Sequence, residues 1–185
     1  MRFILGLALG AGLCRVAWAG LHFHEWLEAP WSLVDTTGGF CVLALPLGLL
    51  LVAPYGTSPK AAQAYRASAA RALAPALAMS RIGCCWLGCC GGLASGIGFT
   101  HPVAAYEVLG WTALAFALRR VSDAHALGLC LFTFGALRLF LEPLRATPNL
   151  GEPSVEIGLI ASLWMAVGLM SAYLDRRLRA RCSFD

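Results

Sequence analysis

A chain of 185 residues in which 59% of the side chains are hydrophobic and only 13% are charged has too little charge to coat a water-facing surface. The net charge of +4 is no nucleic-acid footprint, because in a membrane protein the position of each arginine counts for more than the total. These proportions exclude an ordinary soluble enzyme or nucleic-acid-binding domain, and the length suits a single transmembrane domain over residues 1–185.

Phe3 to Leu21 is a first apolar run, broken by Arg15, which fits either a snorkelling residue at an interface or one lining a cavity. The start also has features of a secretory signal, with Arg2 ahead of the apolar stretch and Ala17-Trp18-Ala19 as a cleavage site. The run is long enough to span, so retention is expected rather than cleavage. Residues 22–37 form a polar connection with Glu25, Glu28, Asp35 and the interfacial anchors Trp26 and Trp31. His22 and His24 have no further ligand spaced to complete a metal site, so a solvated loop is expected there.

A second span is expected from Gly38 to about Ala53, followed by a basic loop over 54–71 that is partly helical at its alanine-rich end. A third span runs from about Ala72 to Gly92, and the glycine-rich stretch Gly91 to Phe99 must turn. A fourth starts at Pro102, a residue suited to the first turn of a helix, and ends at Arg119-Arg120. A fifth covers His125 to about Leu144, and a sixth covers Val155 to about Leu174. The expected fold class is therefore all-α, a polytopic membrane protein of about six transmembrane helices.

Basic residues concentrate in cytoplasmic loops. With both termini inside, ten arginines and lysines fall on the cytoplasmic side, Arg145 falls outside, and Arg15, Arg81 and Arg138 lie within spans. That orientation sends Arg81 to mid-depth and brings His101, Tyr106, Glu107, Arg138, Glu142 and Arg145 to the outer half of the membrane. Arg138, Glu142 and Arg145 are spaced i, i+4 and i+7, which stacks them on one helical face. Ionisable residues at this depth are costly and usually face a polar cavity, so a central cavity open to the outer leaflet is expected. Guanidinium forks match phosphate oxygens, and Glu107 and Glu142 would hold the arginines in place. The competing reading is a set of buried ion pairs that only fix helix register.

Cys14, Cys41, Cys130 and Cys182 read as packing or tail residues. Cys84, Cys85, Cys89 and Cys90 stand apart, four thiols in seven residues. They could hold a soft metal, form a disulfide, supply a nucleophile activated by Arg81, or pack a tight helix crossing. Cys84 shares a helical side with Arg81, and Cys85 with Cys89. A non-catalytic carrier of a soft metal or thiol compound, using these four cysteines, is the alternative to a lipid enzyme. His101 reads as a general base, since imidazole titrates nearest to neutrality, or as a helix cap beside Pro102.

Three stretches resemble the prolipoprotein diacylglyceryl transferases. Ser80-Arg81-Ile82-Gly83-Cys84-Cys85-Trp86-Leu87-Gly88-Cys89 resembles in frame that family's Gly-Arg-x-Gly-Asn-Phe-x-Asn-Gly-Glu signature. His101-Pro102-Val103-Ala104-Ala105-Tyr106-Glu107 matches its His-Pro-x-x-x-Tyr-Glu element, and Gly135 to Arg145 looks like its Gly-x-x-Arg-Phe-x-x-Glu-x-x-Arg element. The stretches occur in the family's order within residues 36–165. The resemblance implies a multi-pass enzyme of the bacterial inner membrane, with its active face on the periplasmic side. Such an enzyme moves the diacylglyceryl group of phosphatidylglycerol to the cysteine thiol of a lipoprotein precursor, and no cofactor is expected.

On that reading the catalytic set is Arg81, Arg138, Glu142 and His101 with Cys84 and Cys89, and the substrate-binding set is Arg145, Tyr106, Glu107, Gly38 and Gly39. Arg81 and Arg138 would bind the phosphate and stabilise the departing phosphoglycerol, Arg145 would recruit the headgroup at the mouth, and Glu142 would orient Arg138. The chain departs from the family where its essential histidine falls at Thr37, and where Cys84, Leu87 and Cys89 replace two asparagines and a glutamate.

Overall fold

The computed structural model describes residues 2–21, 23–28, 30–33, 46–48, 58–88, 91–96, 98–146 and 155–182. The chain is mostly helical and divides into two compact units, Met1–Arg66 and Ala67–Asp185.

In the first unit, α1 covers Arg2–Leu21, matching the first apolar run. The connection that follows is not simply a loop: it holds a short helix, α2 (Phe23–Glu28), and a 3-10 turn (Pro30–Leu33). Gly6, Gly10 and Cys14 form a buried stripe on α1. A side chain added at Gly48 would lie 2.5 Å from the Gly6 carbonyl and would collide with the Gly10 backbone. Two glycines four apart thus let residues 46–48 cross α1 backbone to backbone, as small residues do between membrane helices. The remainder of the expected second span lies outside the described residues.

Helix α3 (Pro59–Leu87), most of which belongs to the second unit, begins in the stretch expected to be a basic loop partly helical at its alanine-rich end, and it contains Pro75. Alanine is the strongest helix former, and lysine, arginine and glutamine follow closely. The run from Lys60 to Arg71 therefore continues the helix that the apolar residues after it require. The buried residues of α3 are Ala67, Ala69, Ala70, Leu73, Ala74, Leu77 and Ala78, five alanines and two leucines.

Helix α4 (Val103–Arg120) ends in Arg119 and Arg120, and α5 (Asp123–Leu141) runs into a 3-10 turn at Glu142–Leu144. Between them, Arg71 acts as a staple from α3. Its Nε donates to the Leu118 carbonyl (3.1 Å), its Nη2 to the Val121 carbonyl (2.9 Å) and its Nη1 to Asp123 (2.7 Å). The staple satisfies carbonyls that the end of α4 would otherwise leave without partners.

Helix α6 (Val155–Cys182) continues eight residues past the expected end of the sixth span. It packs against α5 through glycine. A side chain at Gly128 would lie 2.8 Å from the Gly168 carbonyl and 3.1 Å from Ala172, and one at Gly135 would collide with the Ala161 carbonyl. The order of these contacts makes α5 and α6 antiparallel. Phe134, fully buried on α5, joins Trp111 of α4 (centroids 5.6 Å apart) to Trp164 of α6 (6.3 Å, edge to face).

Among the described residues, Asp123–Leu144 and Ile157–Leu174 are long and apolar enough to cross a membrane, and Ile4–Ala17 is a shorter apolar segment. Helices α3 and α4 carry more charge, including Arg71, Arg81, Glu107, Arg119 and Arg120. Leu159, Leu163, Leu169 and Met170 on α6 are exposed. An apolar surface of that kind fits lipid better than water.

Candidate functional site

The 3-10 turn carries the chain past the end of α5, so Arg145 follows a more tightly wound turn than α5 itself and has extended backbone. It still meets the residues whose spacing suggested a shared face. Arg145 Nη2 lies 2.7 Å from Glu107 Oε1, and Arg145 Nε lies 3.4 Å from Glu142 Oε2. Arg81 Nε approaches the other Glu107 oxygen at 2.8 Å. Arg138 Nη1 is placed between the two carboxylates, 3.8 Å from Glu107 and 3.7 Å from Glu142.

Glu107 is the hub of this cluster. Its side chain is 1% exposed, against 10–15% for Glu142 and the three arginines. A lone carboxylate buried so deeply would be expensive, and opposite charges on several sides offset that cost. Glu107, expected with Glu142 to hold the arginines in place, is shared by guanidiniums from α3, α5 and the segment after the 3-10 turn. Arg145, at 15%, is slightly more exposed than Arg81 and Arg138, both at 12%. Among the described residues the cluster holds three guanidiniums and two carboxylates.

The glycine-rich turn ties the cluster to His101. Leu93 N–H donates to the Leu144 carbonyl (2.8 Å), and Ala146 N–H donates to Gly91 (3.1 Å). On the other side, His101 N–H donates to Leu93 (3.1 Å) and Ser95 N–H to Phe99 (2.7 Å). Residues 91–95 therefore lie as a short extended ribbon between Leu144–Ala146 and Phe99–His101, with isolated bridges at Gly92–Arg145 and Ala94–Thr100. Two strand spacings put the backbones of His101 and Arg145 about 10 Å apart.

Gly92 makes this possible, and it is a site residue the sequence reading missed. A side chain there would collide with the His101 carbonyl and lie 2.9 Å from the Leu144 carbonyl. The Gly91-Gly92 pair was a visible signal, but it read only as a turn.

The His101 side chain does not cap α4, since Pro102 occupies the N-cap with no side-chain bond to the helix. The ring packs between Phe99 (5.1 Å) and Tyr106 (6.3 Å). Its Nδ1 is buried without a hydrogen-bond partner among the described residues. Polar atoms so placed are uncommon in folded proteins and call for an explanation.

Cys84 lies beside Arg81, whose Nη1 donates to the thiol sulfur at 3.7 Å, and Cys85 is exposed. Cys14 and Cys130 are buried, as packing residues should be, and Cys130 Sγ contacts the Ala70 carbonyl. Cys89, Cys90, Gly38, Gly39 and Thr37 lie outside the described residues. Among those described, no group of three or more metal-ligating side chains comes together.

No family profile, curated protein or solved structure matches the chain.

Proposed function

We propose that the cluster is the headgroup site of a membrane-embedded transferase that takes an anionic phospholipid, as the resemblance to the prolipoprotein diacylglyceryl transferases implies. The observation that carries this reading is the convergence of Arg81, Arg138 and Arg145 on Glu107. Guanidiniums gathered by a shared carboxylate are pre-positioned, so a phosphodiester can bind them without the cost of ordering three long side chains.

In the proposed reaction a thiol sulfur attacks the glycerol carbon bonded to the phosphate of a phosphatidylglycerol-like lipid. A C–S bond forms, the C–O bond breaks, and phosphoglycerol leaves with the bonding pair. Arg81 and Arg138 stabilise the charge that develops on the leaving phosphate, and Arg145 holds the headgroup beside them. Glu107 and Glu142 keep the arginines aimed. His101, with Nδ1 unengaged, takes the thiol proton, and Tyr106 fixes its ring. Gly92 holds the histidine and the arginines at a constant separation.

The membrane arrangement belongs to the same proposal. Six spans with both termini in the cytoplasm would put the site toward the periplasmic leaflet of a bacterial inner membrane. The acceptor would be the cysteine of a lipoprotein precursor or another thiol.

The test is purified protein with labelled phosphatidylglycerol and a lipobox peptide, read as lipid on the peptide thiol. Transfer that is lost in Arg138→Ala and Arg81→Ala supports the assignment, and transfer that both variants leave intact overturns it. Stoichiometric soft metal on the cysteines, with no transfer, would instead favour the carrier reading.

A further inference from the structure

At the opposite end of the second unit the chemistry is different. The C-terminus of α4, the N-terminus of α5 and, because α5 and α6 are antiparallel, the C-terminus of α6 share this end. It collects Arg71, Arg119, Arg120, Arg176, Arg177, Arg179 and Arg181 against Asp123 and Asp175, and Asp123 is already bonded to Arg71. Helix α6 runs on from Leu174, where its apolar segment ends, to Cys182. At 1.5 Å per residue that extension is about 12 Å long, enough to cross the headgroup layer of one leaflet. Residues 176, 177, 179 and 181 are distributed round the helix axis rather than along one stripe. That pattern does not suit packing against a partner helix.

Two further contacts say what covers this end. Arg119 Cζ lies 5.0 Å from the centre of the Phe116 ring, and Arg177 Cζ lies 5.0 Å from the Tyr173 ring. In both helices an exposed guanidinium folds back one turn onto an aromatic ring, and on α6 that ring, Tyr173, stands at the edge of the apolar segment. Aromatic rings at that level are interfacial anchors, and a cation held on one is kept at headgroup depth.

We infer that this end docks on anionic phospholipid headgroups of the leaflet from which it emerges. It is a lipid-binding surface separate from the Glu107 cluster at the other end of α4 and α5. It requires that α5 and α6 cross a bilayer, and it does not require the cluster to be catalytic. Anionic lipid attracts each nearby arginine within about a Debye length of the surface, so the interaction is salt-dependent.

The test uses the full chain in nanodiscs of phosphatidylcholine with a minority of phosphatidylserine. Spin-labelled versions of the two lipids report which is held next to the protein. The unsubstituted protein should prefer phosphatidylserine at least about threefold at low salt, and the preference should fall toward unity at high salt. Replacing Arg119, Arg120, Arg176, Arg177, Arg179 and Arg181 by glutamine should remove the preference down to the part the Glu107 cluster supplies, and Arg138→Gln should remove no more than that part, together with transfer.

A preference that the six substitutions leave undiminished, or that only Arg138→Gln lowers, would overturn the inference. If the six-fold variant does not fold, a salt-insensitive preference in the unsubstituted protein would overturn it equally. Binding of polyuridylate or an acidic peptide at this end, with no lipid preference, would assign the surface to another partner and also overturn it.

Discussion

Arg145 Nη2 lies 2.7 Å from Glu107 Oε1, joining the segment after the 3-10 turn to the second turn of α4. Arg81 and Arg138 reach the same carboxylate. Removing one partner from a buried ion pair costs about 3–5 kcal/mol, because the other is left uncompensated. Glu107→Gln takes the carboxylate from Arg81 and leaves Arg138 and Arg145 only their longer contacts to Glu142, and it should destabilise the protein by at least that amount in thermal unfolding. Glu142→Gln, whose contacts are 3.4 and 3.7 Å, should cost less. Equal costs would remove Glu107 from its place as hub.

Gly92 and Gly91 make a matched pair for testing the ribbon. A side chain at Gly92 collides with the His101 backbone, whereas one at Gly91 meets nothing within 4 Å. Gly92→Ala should cost about 1–3 kcal/mol, as overpacking does, and should depress lipid transfer at a temperature where the helices remain folded. Gly91→Ala should behave like the unsubstituted protein. Circular dichroism and the transfer assay, run side by side, decide it.

The α5–α6 contact predicts a similar contrast. Gly135→Val forces apart two backbones in contact at Ala161 and Met165, and Gly158→Ala meets nothing within 4 Å. The first should lower the melting temperature sharply in detergent, since close approach is what holds membrane helices together. The second should be neutral. A tolerated Gly135→Val would mean the helices pack differently.

Arg71 separates a surface ion pair from a carbonyl staple. The Asp123 pairing is well exposed, and pairs of that kind are worth about 0.2–1 kcal/mol. Charged hydrogen bonds to carbonyls contribute about 1.5–3 kcal/mol each, and Arg71 makes two. Asp123→Asn should therefore cost under about 1 kcal/mol and Arg71→Met several times more, both measured by denaturant or thermal unfolding.

Much of this arrangement can be read along the chain. The fourth element was expected from Pro102 to Arg120 and forms Val103–Arg120, because a proline and a pair of arginines mark its ends. Arg138, Glu142 and Arg145 come together although a 3-10 turn interrupts the helix they were placed on, because the turn keeps them on one side.

The start of α3 lies earlier than charge suggests: the stretch expected to be a basic loop, helical only at its alanine-rich end, is helical back to Pro59 because alanine propensity carries it. Glu107 holds arginines as its position suggests, but its place at the centre of the cluster is not legible in the sequence. Which carboxylate becomes the hub depends on how α3, α4 and α5 meet, and no periodicity in one helix encodes that. Gly92 is a case of the same kind, since the His101 and Leu144 carbonyls that a side chain there would meet are brought to it only in three dimensions.

A carboxylate that serves three cations also constrains how this protein can change over time. Substitutions at the cluster cannot drift independently, because losing the acid alone leaves three repelling guanidiniums, and losing a base alone unbalances the rest. Paired losses should be milder than single ones. Lineages would then be expected to retain the whole constellation or discard it together, with few intermediates between.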